Sequence, residues 1–186
     1  MPQETAGAPA WIDEVLQFWF SELGEPGWWA KNETIDRQIH ERFGSIREEL
    51  VRSKVRLTGG RALLAAVIVL DQFSRNLFRG SPRAYDADSL ARALARQAIE
   101  RGFDLAMQPE ERMFLYLPFE HSEEREDQAL AVELISQLGN DEWTRFAMAH
   151  ESLIDRFGRF PHRNAILGRE STPDELEALK DPMNSY

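Results

Sequence analysis

Apolar residues recur at helical spacing along almost the whole chain, and no stretch alternates apolar and polar residues as a half-buried strand would. The segment that constrains the fold most is residues 62–70, which would be apolar on every side of a helix. Such a helix is stable in water only when other helices surround it. The sequence therefore predicts an all-α fold without a sheet, in which residues 62–70 form the central helix.

The same spacing predicts further helices, at about residues 10–21, 33–53, 82–101, 109–118, 122–139 and 142–157. Asn140 or Asp141 is expected to cap the last of these, and Thr172 opens a capping box for a short terminal helix. Pro118 is expected to kink or end its helix, and Ser122 to cap the next one. Because the connections are short, consecutive helices of this array of seven or eight should pack as antiparallel αα-hairpins.

Composition narrows the class of protein. The chain has 186 residues, 32 acids, 22 bases and no cysteine, which excludes disulfides and thiolate chemistry. This length lets a single domain, residues 1–186, bury a core without a metal. The longest apolar run is less than half of the ~20 residues that a membrane span needs, so no membrane partner is expected. A formal net charge of −10 argues against nucleic acid as a partner.

The sequence carries no targeting or cofactor signal. Its first residues have neither the basic region nor the apolar stretch of a secretion signal, so we expect a cytoplasmic protein. It contains no phosphate-binding loop or dinucleotide fingerprint, so no cofactor is expected. The oligomeric state does not follow from these patterns.

One histidine falls on an apolar helix face. In the helix over 142–157 the apolar stripe includes Trp143, Phe146, Leu153 and Phe157, and His150 lies in its middle. A buried imidazole needs a hydrogen-bond partner. Two interpretations stay open: a core histidine paired with a carbonyl or carboxylate, or a histidine that lines a pocket and transfers a proton.

Two more polar positions interrupt the apolar pattern. Asp71 and Arg75 lie one helical turn apart at the end of the central helix and can form an ion pair, as a structural clamp or as a fork for an anionic ligand. Glu120 and His121 are adjacent at a corner between two helices. They could form an acid–base pair, or a weakly indicated metal site with His150 or His162, or simply a capped turn, and no metal-binding spacing occurs.

Arginines form two local positive segments in this acidic chain. Residues 72–83 carry Arg75 and Arg79 among their bases and no acid. Residues 156–169 likewise lack acids and contain a loop rich in groups that bind anions: Arg159, His162, Arg163 and Asn164. Long ordered loops are often functional, although surface arginines in solvent are the plainer explanation.

Three of these segments also carry a family resemblance. The motifs DQFSRNLFRG at 71–80, YLPFEHSE at 116–123 and RFGRFPHRN at 156–164 are similar to the bacterial domain-of-unknown-function family nine-two-four. The resemblance covers nearly the whole chain. It implies an all-helical fold similar to tetratricopeptide-like arrays, and it implies no established activity or catalytic residue.

Two functional hypotheses follow. In the first, the helical array binds an anionic small molecule or an acidic peptide end through Arg75, Arg79, Arg159 and Arg163. In the second, the protein is an enzyme acting on an anionic metabolite, with His121, His150 or His162 transferring a proton assisted by Glu120 or Asp71. The binding hypothesis requires less of the sequence, which lacks a nucleophile motif. Both predict that segments 71–80, 120–121 and 159–164 meet in space.

Overall fold

The computed structural model describes residues 9–53 and 57–184, and all regular structure in these ranges is helical. Eight α-helices have six residues or more, and two are shorter. In chain order they are α1 (Ala10–Gln17), α2 (Gly24–Trp28), α3 (Glu33–Arg52), α4 (Gly60–Ile68), α5 (Ser74–Leu77), α6 (Asp88–Glu100), α7 (Pro109–Glu120), α8 (Arg125–Ser136), α9 (Asp141–Phe157) and α10 (Pro173–Ala178). The all-α prediction is confirmed.

The central helix is the one that the apolar run predicts. Every residue from 63 to 71 has 1% or less of its surface exposed. Helix α4 packs against α1, α6 and α7, which together cover it. Its polypeptide continues into α5 through a wider π-helical turn, Val69–Phe73, and a second such turn, Phe18–Leu23, follows α1. Asp71 therefore lies in a π-helical turn, a feature that often accompanies functional sites.

The core follows the predicted helix faces. Apolar residues on these faces are buried, among them Phe18, Ile39, Phe43, Leu64, Ile68 and Ile154. Trp11 and Phe146 pack at the edge and are only half-buried. Helices α7, α8 and α9 pack consecutively along the chain. The expected similarity of this helical arrangement to a tetratricopeptide array stays a prediction.

Helix ends agree with the sequence at two positions and differ at two. Asn140 caps α9, and Thr172 forms the capping box of α10. The prediction that Pro118 could end its helix is wrong, because α7 continues to Glu120 and its last residues are all buried in the core. Ser122 does not cap α8, since its hydroxyl is donated to Asp127 inside that helix. Within the described ranges no helix is both long and apolar enough to cross a membrane.

Candidate functional site

The three polar segments meet at His121, which directly follows α7. Its Nδ1 lies 2.9 and 3.0 Å from the two carboxylate oxygens of Asp71. Its backbone carbonyl accepts a 3.0 Å hydrogen bond from Nη2 of Arg163. One residue thus joins the end of the central helix to the arginine-rich loop. We call the group around it, Asp71, Arg75, Asp88, Glu120, His121, His150, His162 and Arg163, the polar cluster.

Asp88 is the member of the polar cluster that sequence reasoning missed. It is the first residue of α6 and accepts two hydrogen bonds from Arg75, of 3.0 and 3.1 Å. Arg75 also lies 3.2 Å from the carboxylate of Asp71, so the predicted ion pair forms and is extended by a second acid. In the sequence Asp88 is one of several acids near a helix start, and nothing marks it as the partner of Arg75.

Glu120 and His121 do not pair with each other. Oε1 of Glu120 lies 3.1 Å from Nδ1 of His150, which is also 2.9 Å from the carbonyl oxygen of Phe146. Adjacent residues at a helix end point in different directions, so each meets a partner from another segment. The result is two carboxyl–imidazole pairs in one cluster, Asp71–His121 and Glu120–His150.

Burial sets the protonation of these groups. It lowers the pKa of His121, although Asp71 counteracts it, and it lowers the pKa of His150 well below its ordinary value. Burial, together with the charge of Arg163, lowers the pKa of His162 to about 3. The three imidazoles are therefore neutral at pH 7.

The two carboxyl groups titrate in opposite directions. Burial and the negative charge of Asp71 raise the pKa of Glu120 to about 8. Burial would also raise the pKa of Asp71, but the charge of Arg75 and the hydrogen bond from His121 outweigh it and hold that pKa well below its usual range. At neutral pH Glu120 is therefore mainly protonated and Asp71 is ionised.

Arg163 carries the least compensated charge of the polar cluster. Its guanidinium lies between the rings of Tyr85 and Phe160, 4.6 Å from each centroid. Its Nη1 is 3.8 Å from Asp88, and its buried Nε has no hydrogen-bond partner among the residues that the structure describes. Burial and the positive charge of Arg75 lower its pKa to about 10. Its cation still predominates at neutral pH, held in place by two rings.

An open cleft of about 400 Å³ reaches the polar cluster from the surface. Its lining includes Tyr85, Asp88, Arg92, His121, Glu123 and Arg163. A second groove of similar volume, about 410 Å³, continues along α6 and shares Ser89 and Arg92 with the first. His150 and Glu120 lie behind His121 and are absent from both linings.

Three predicted site residues lie outside the polar cluster. Arg79 donates two hydrogen bonds to Asp36 in α3, of 2.7 and 2.9 Å. Arg159 donates to both carboxylate oxygens of Glu175 in α10, and Asn164 donates to the same side chain at 3.3 Å. Of the four arginines predicted to bind an anion, only Arg75 and Arg163 belong to the polar cluster, because the other two pair with carboxylates of α3 and α10.

The weakly indicated metal site does not form either. The described residues contain no group of three or more histidine, aspartate or glutamate side chains arranged to hold a metal ion. Each imidazole of the two carboxyl–imidazole pairs faces one carboxyl group, and the pairs diverge from Glu120 and His121.

Comparison with known proteins assigns the chain to a family. Residues 15–183 match the family model described as bacterial protein of unknown function, DUF924. The chain belongs to this family. A solved structure of a protein of unknown function from Agrobacterium tumefaciens is 38% identical to this chain and superposes with a TM-score of 0.87. The similarity covers 91% of this chain and 96% of that one. No curated protein matches the chain.

Proposed function

We propose that this protein binds a small molecule or a peptide end through one anionic group held by Arg163. The observation that carries the proposal is that the guanidinium of Arg163 is buried but has few hydrogen-bond acceptors around it. Only Nη2 is hydrogen-bonded within the described residues, and the side chain is 6% exposed. A buried cation is costly unless acceptors surround it, and a carboxylate or phosphate would supply them.

The nearest carboxylate does not fill this role. Asp88 receives both of its short hydrogen bonds from Arg75 and lies beyond hydrogen-bond distance of Arg163. The rings of Tyr85 and Phe160 fix the plane of the guanidinium before any ligand arrives. A preorganised fork loses little conformational entropy on binding, which favours recognition of a planar carboxylate.

The cleft favours a particular kind of ligand. About 400 Å³ lies within the range of small-molecule sites. Its walls also carry the carboxylates of Asp86, Glu123 and Glu124, which would repel a polyanion. A ligand with one anionic group and a neutral polar body therefore fits better than a polyphosphate or a nucleic acid.

Thermal unfolding tests the proposal. The full chain is melted with 6-hydroxyhexanoate, with inorganic phosphate, and with a tetrapeptide whose C-terminus is either free or amidated. We expect at least one carboxylate or phosphate probe to raise Tm by roughly 5–10 °C at about 100 times its Kd. A response to the free but not the amidated peptide identifies a peptide end, and a response to 6-hydroxyhexanoate alone identifies a small molecule.

Matched variants locate the binding site. Arg163→Gln should abolish the shift, whereas Arg156→Gln, in the last turn of α9 with an exposed side chain, should retain it. A ligand-induced rise in Tm of the Arg163→Gln variant that equals the rise in the wild type would overturn the proposal. The absence of a shift with every probe in the wild-type chain would do the same.

A further inference from the structure

We propose that the cleft hydrolyses an acyl ester of an anionic molecule, with His121 as the proton-transfer group and Asp71 as its positioning residue. This inference rests on the proposed function, because Arg163 would hold the anionic group of the ester. It adds a reaction and a substrate class to the binding site.

The imidazole of His121 is oriented for such a role. The ionised carboxylate of Asp71 can only accept, so Nδ1 of His121 must donate and carries the proton. Nε2, at the other edge of the ring, is then the basic nitrogen. No described residue hydrogen-bonds to it, and His121 lines the cleft. A neutral imidazole with a free Nε2 can take a proton from a bound molecule.

Contacts with neighbouring side chains fix the orientation of the Asp71 carboxylate. Its Oδ2 accepts a 2.6 Å hydrogen bond from the side-chain amide of Gln72, and its Oδ1 lies 3.2 Å from Nη1 of Arg75. The carboxylate is fully buried. It therefore fixes the tautomer and the ring orientation of His121, and it stabilises the imidazolium that forms during proton transfer.

The nucleophile is water. The chain has no cysteine, and the neighbouring Ser122 donates its hydroxyl to Asp127 at 2.8 Å instead of to His121. The cleft is open, so bulk water reaches Nε2. We therefore assign His121 as a general base and not as part of a serine-based triad.

The reaction balances without another co-reactant. Nε2 of His121 takes a proton from water while the water oxygen forms a bond to the ester carbonyl carbon. The carbonyl electron pair moves to its oxygen and returns as the carbon–oxygen bond to the leaving group breaks. The leaving oxygen keeps that electron pair and receives the proton from Nε2. The products are a carboxylic acid and an alcohol, and the protein is unchanged.

The test uses the full chain and the 4-nitrophenyl monoester of adipic acid, followed by release of 4-nitrophenolate. Wild-type protein should hydrolyse it faster than buffer. His121→Asn should lower kcat roughly 10²–10⁴-fold. Asparagine can still donate to Asp71 but has no basic nitrogen. His121→Gln is a second variant in case the first loses stability. His40→Asn, which changes an exposed histidine of α3, is the matched control and should keep full activity.

A pH profile tests the positioning role of Asp71. The charged and titratable groups near the His121 ring are Asp71, Arg75, Asp88, His150, His162 and Arg163. Of these groups, Asp71 raises the pKa of His121 most. Asp71→Asn should therefore move the acid limb of the kcat profile to lower pH, besides lowering kcat. A merely structural role of Asp71 would leave that limb unmoved.

The outcomes separate this inference from the proposed function. Stabilisation by 6-hydroxyhexanoate that needs Arg163, without ester hydrolysis above buffer, overturns the inference and leaves the binding proposal intact. Equal hydrolysis by wild type and both His121 variants also overturns it. Arg163→Gln should raise KM for the anionic ester more than KM for neutral 4-nitrophenyl acetate. If hydrolysis needs His121 and Arg163→Gln raises neither KM, the binding proposal fails, and so does the anionic substrate class of this inference.

Discussion

Whether a buried side chain is charged depends on how many ion-pair and hydrogen-bond partners stabilise its charged form. Asp71 keeps Arg75, His121 and the amide of Gln72, and the pKa of its carboxyl is lowered. Glu120 lies close to it but faces a neutral imidazole, and the pKa of its carboxyl is raised to about 8. Two carboxyl groups of one cluster thus differ in protonation at pH 7, for reasons that depend on individual contacts.

Glu120 should make the protein less stable in alkali. Its folded pKa of about 8 lies above the ordinary value of 4.5, so between these values the folded state binds a proton that the unfolded state lacks. The free energy of unfolding therefore falls as pH rises from about 4.5 to about 8, with a limiting slope of about 1.4 kcal/mol per pH unit, and this contribution of Glu120 is lost above pH 8. Urea melts at pH 6 and 8.5 should show a smaller fall for Glu120→Gln. Equal falls for variant and wild type would contradict the assigned pKa.

Asp88 should contribute more to stability than an acid in a surface ion pair. It accepts two hydrogen bonds from Arg75 and is the nearest carboxylate to the charge of Arg163, so Asp88→Asn should cost roughly 3–5 kcal/mol. Asp36→Asn removes the partner of the more exposed Arg79 and should cost less than about 1 kcal/mol. Denaturant melts compare the two. Similar losses would show that burial does not distinguish these pairs.

At the scale of helices, the sequence predicts positions better than turn types. The apolar period places α3, α4 and α9 to within a few residues of their observed ends. It does not predict the π-helical turn at Val69–Phe73, because a segment that is buried on every side has the same apolar pattern whichever turn it adopts. Pro118 does not end its helix, because tertiary packing of α7 outweighs one missing hydrogen-bond donor.

The central helix should be the element most sensitive to truncation. Ile68→Ala leaves a cavity in α4, where the side chain is fully buried, and should cost about 2–5 kcal/mol of the free energy of unfolding. Leu176→Ala in α10 is the control, because that side chain is 56% exposed, and it should change stability by less than about 0.5 kcal/mol. A loss below about 1 kcal/mol for Ile68→Ala would mean that cavity formation at α4 is compensated.

For the whole molecule, periodicity identifies candidate site residues but not their partners. The pattern that places His150 on a buried face and Asp71 at a helix end is local, and both residues are in the polar cluster. The pairing of Arg159 with Glu175, and of Arg79 with Asp36, depends on how distant helices pack. No local spacing encodes that choice, so the sequence could not predict the carboxylate partners of these two arginines.

The neutral histidines of the polar cluster should limit stability in acid. The folded pKa values of His121, His150 and His162 lie below the ordinary value of 6.5, so the unfolded chain binds protons that the folded state does not. The free energy of unfolding therefore falls as pH decreases below about 6.5. Urea melts at pH 5 and 7 should show a smaller fall for His162→Gln than for wild type. A steeper fall in the variant would contradict this assignment.

NMR tests directly whether the three distant segments meet to form one anion site at Arg163. In the ¹⁵N-labelled full chain, the Nε–H resonance of each arginine is followed while 6-hydroxyhexanoate is added. Among the described residues Nε of Arg163 has no hydrogen-bond partner, whereas Nε of Arg159 donates to Glu175, so Arg163 should shift with saturation and Arg159 should not. Arg163→Gln assigns the resonance. An Arg163 resonance that stays unmoved, or shifts without saturation together with the surface arginines, would contradict the account.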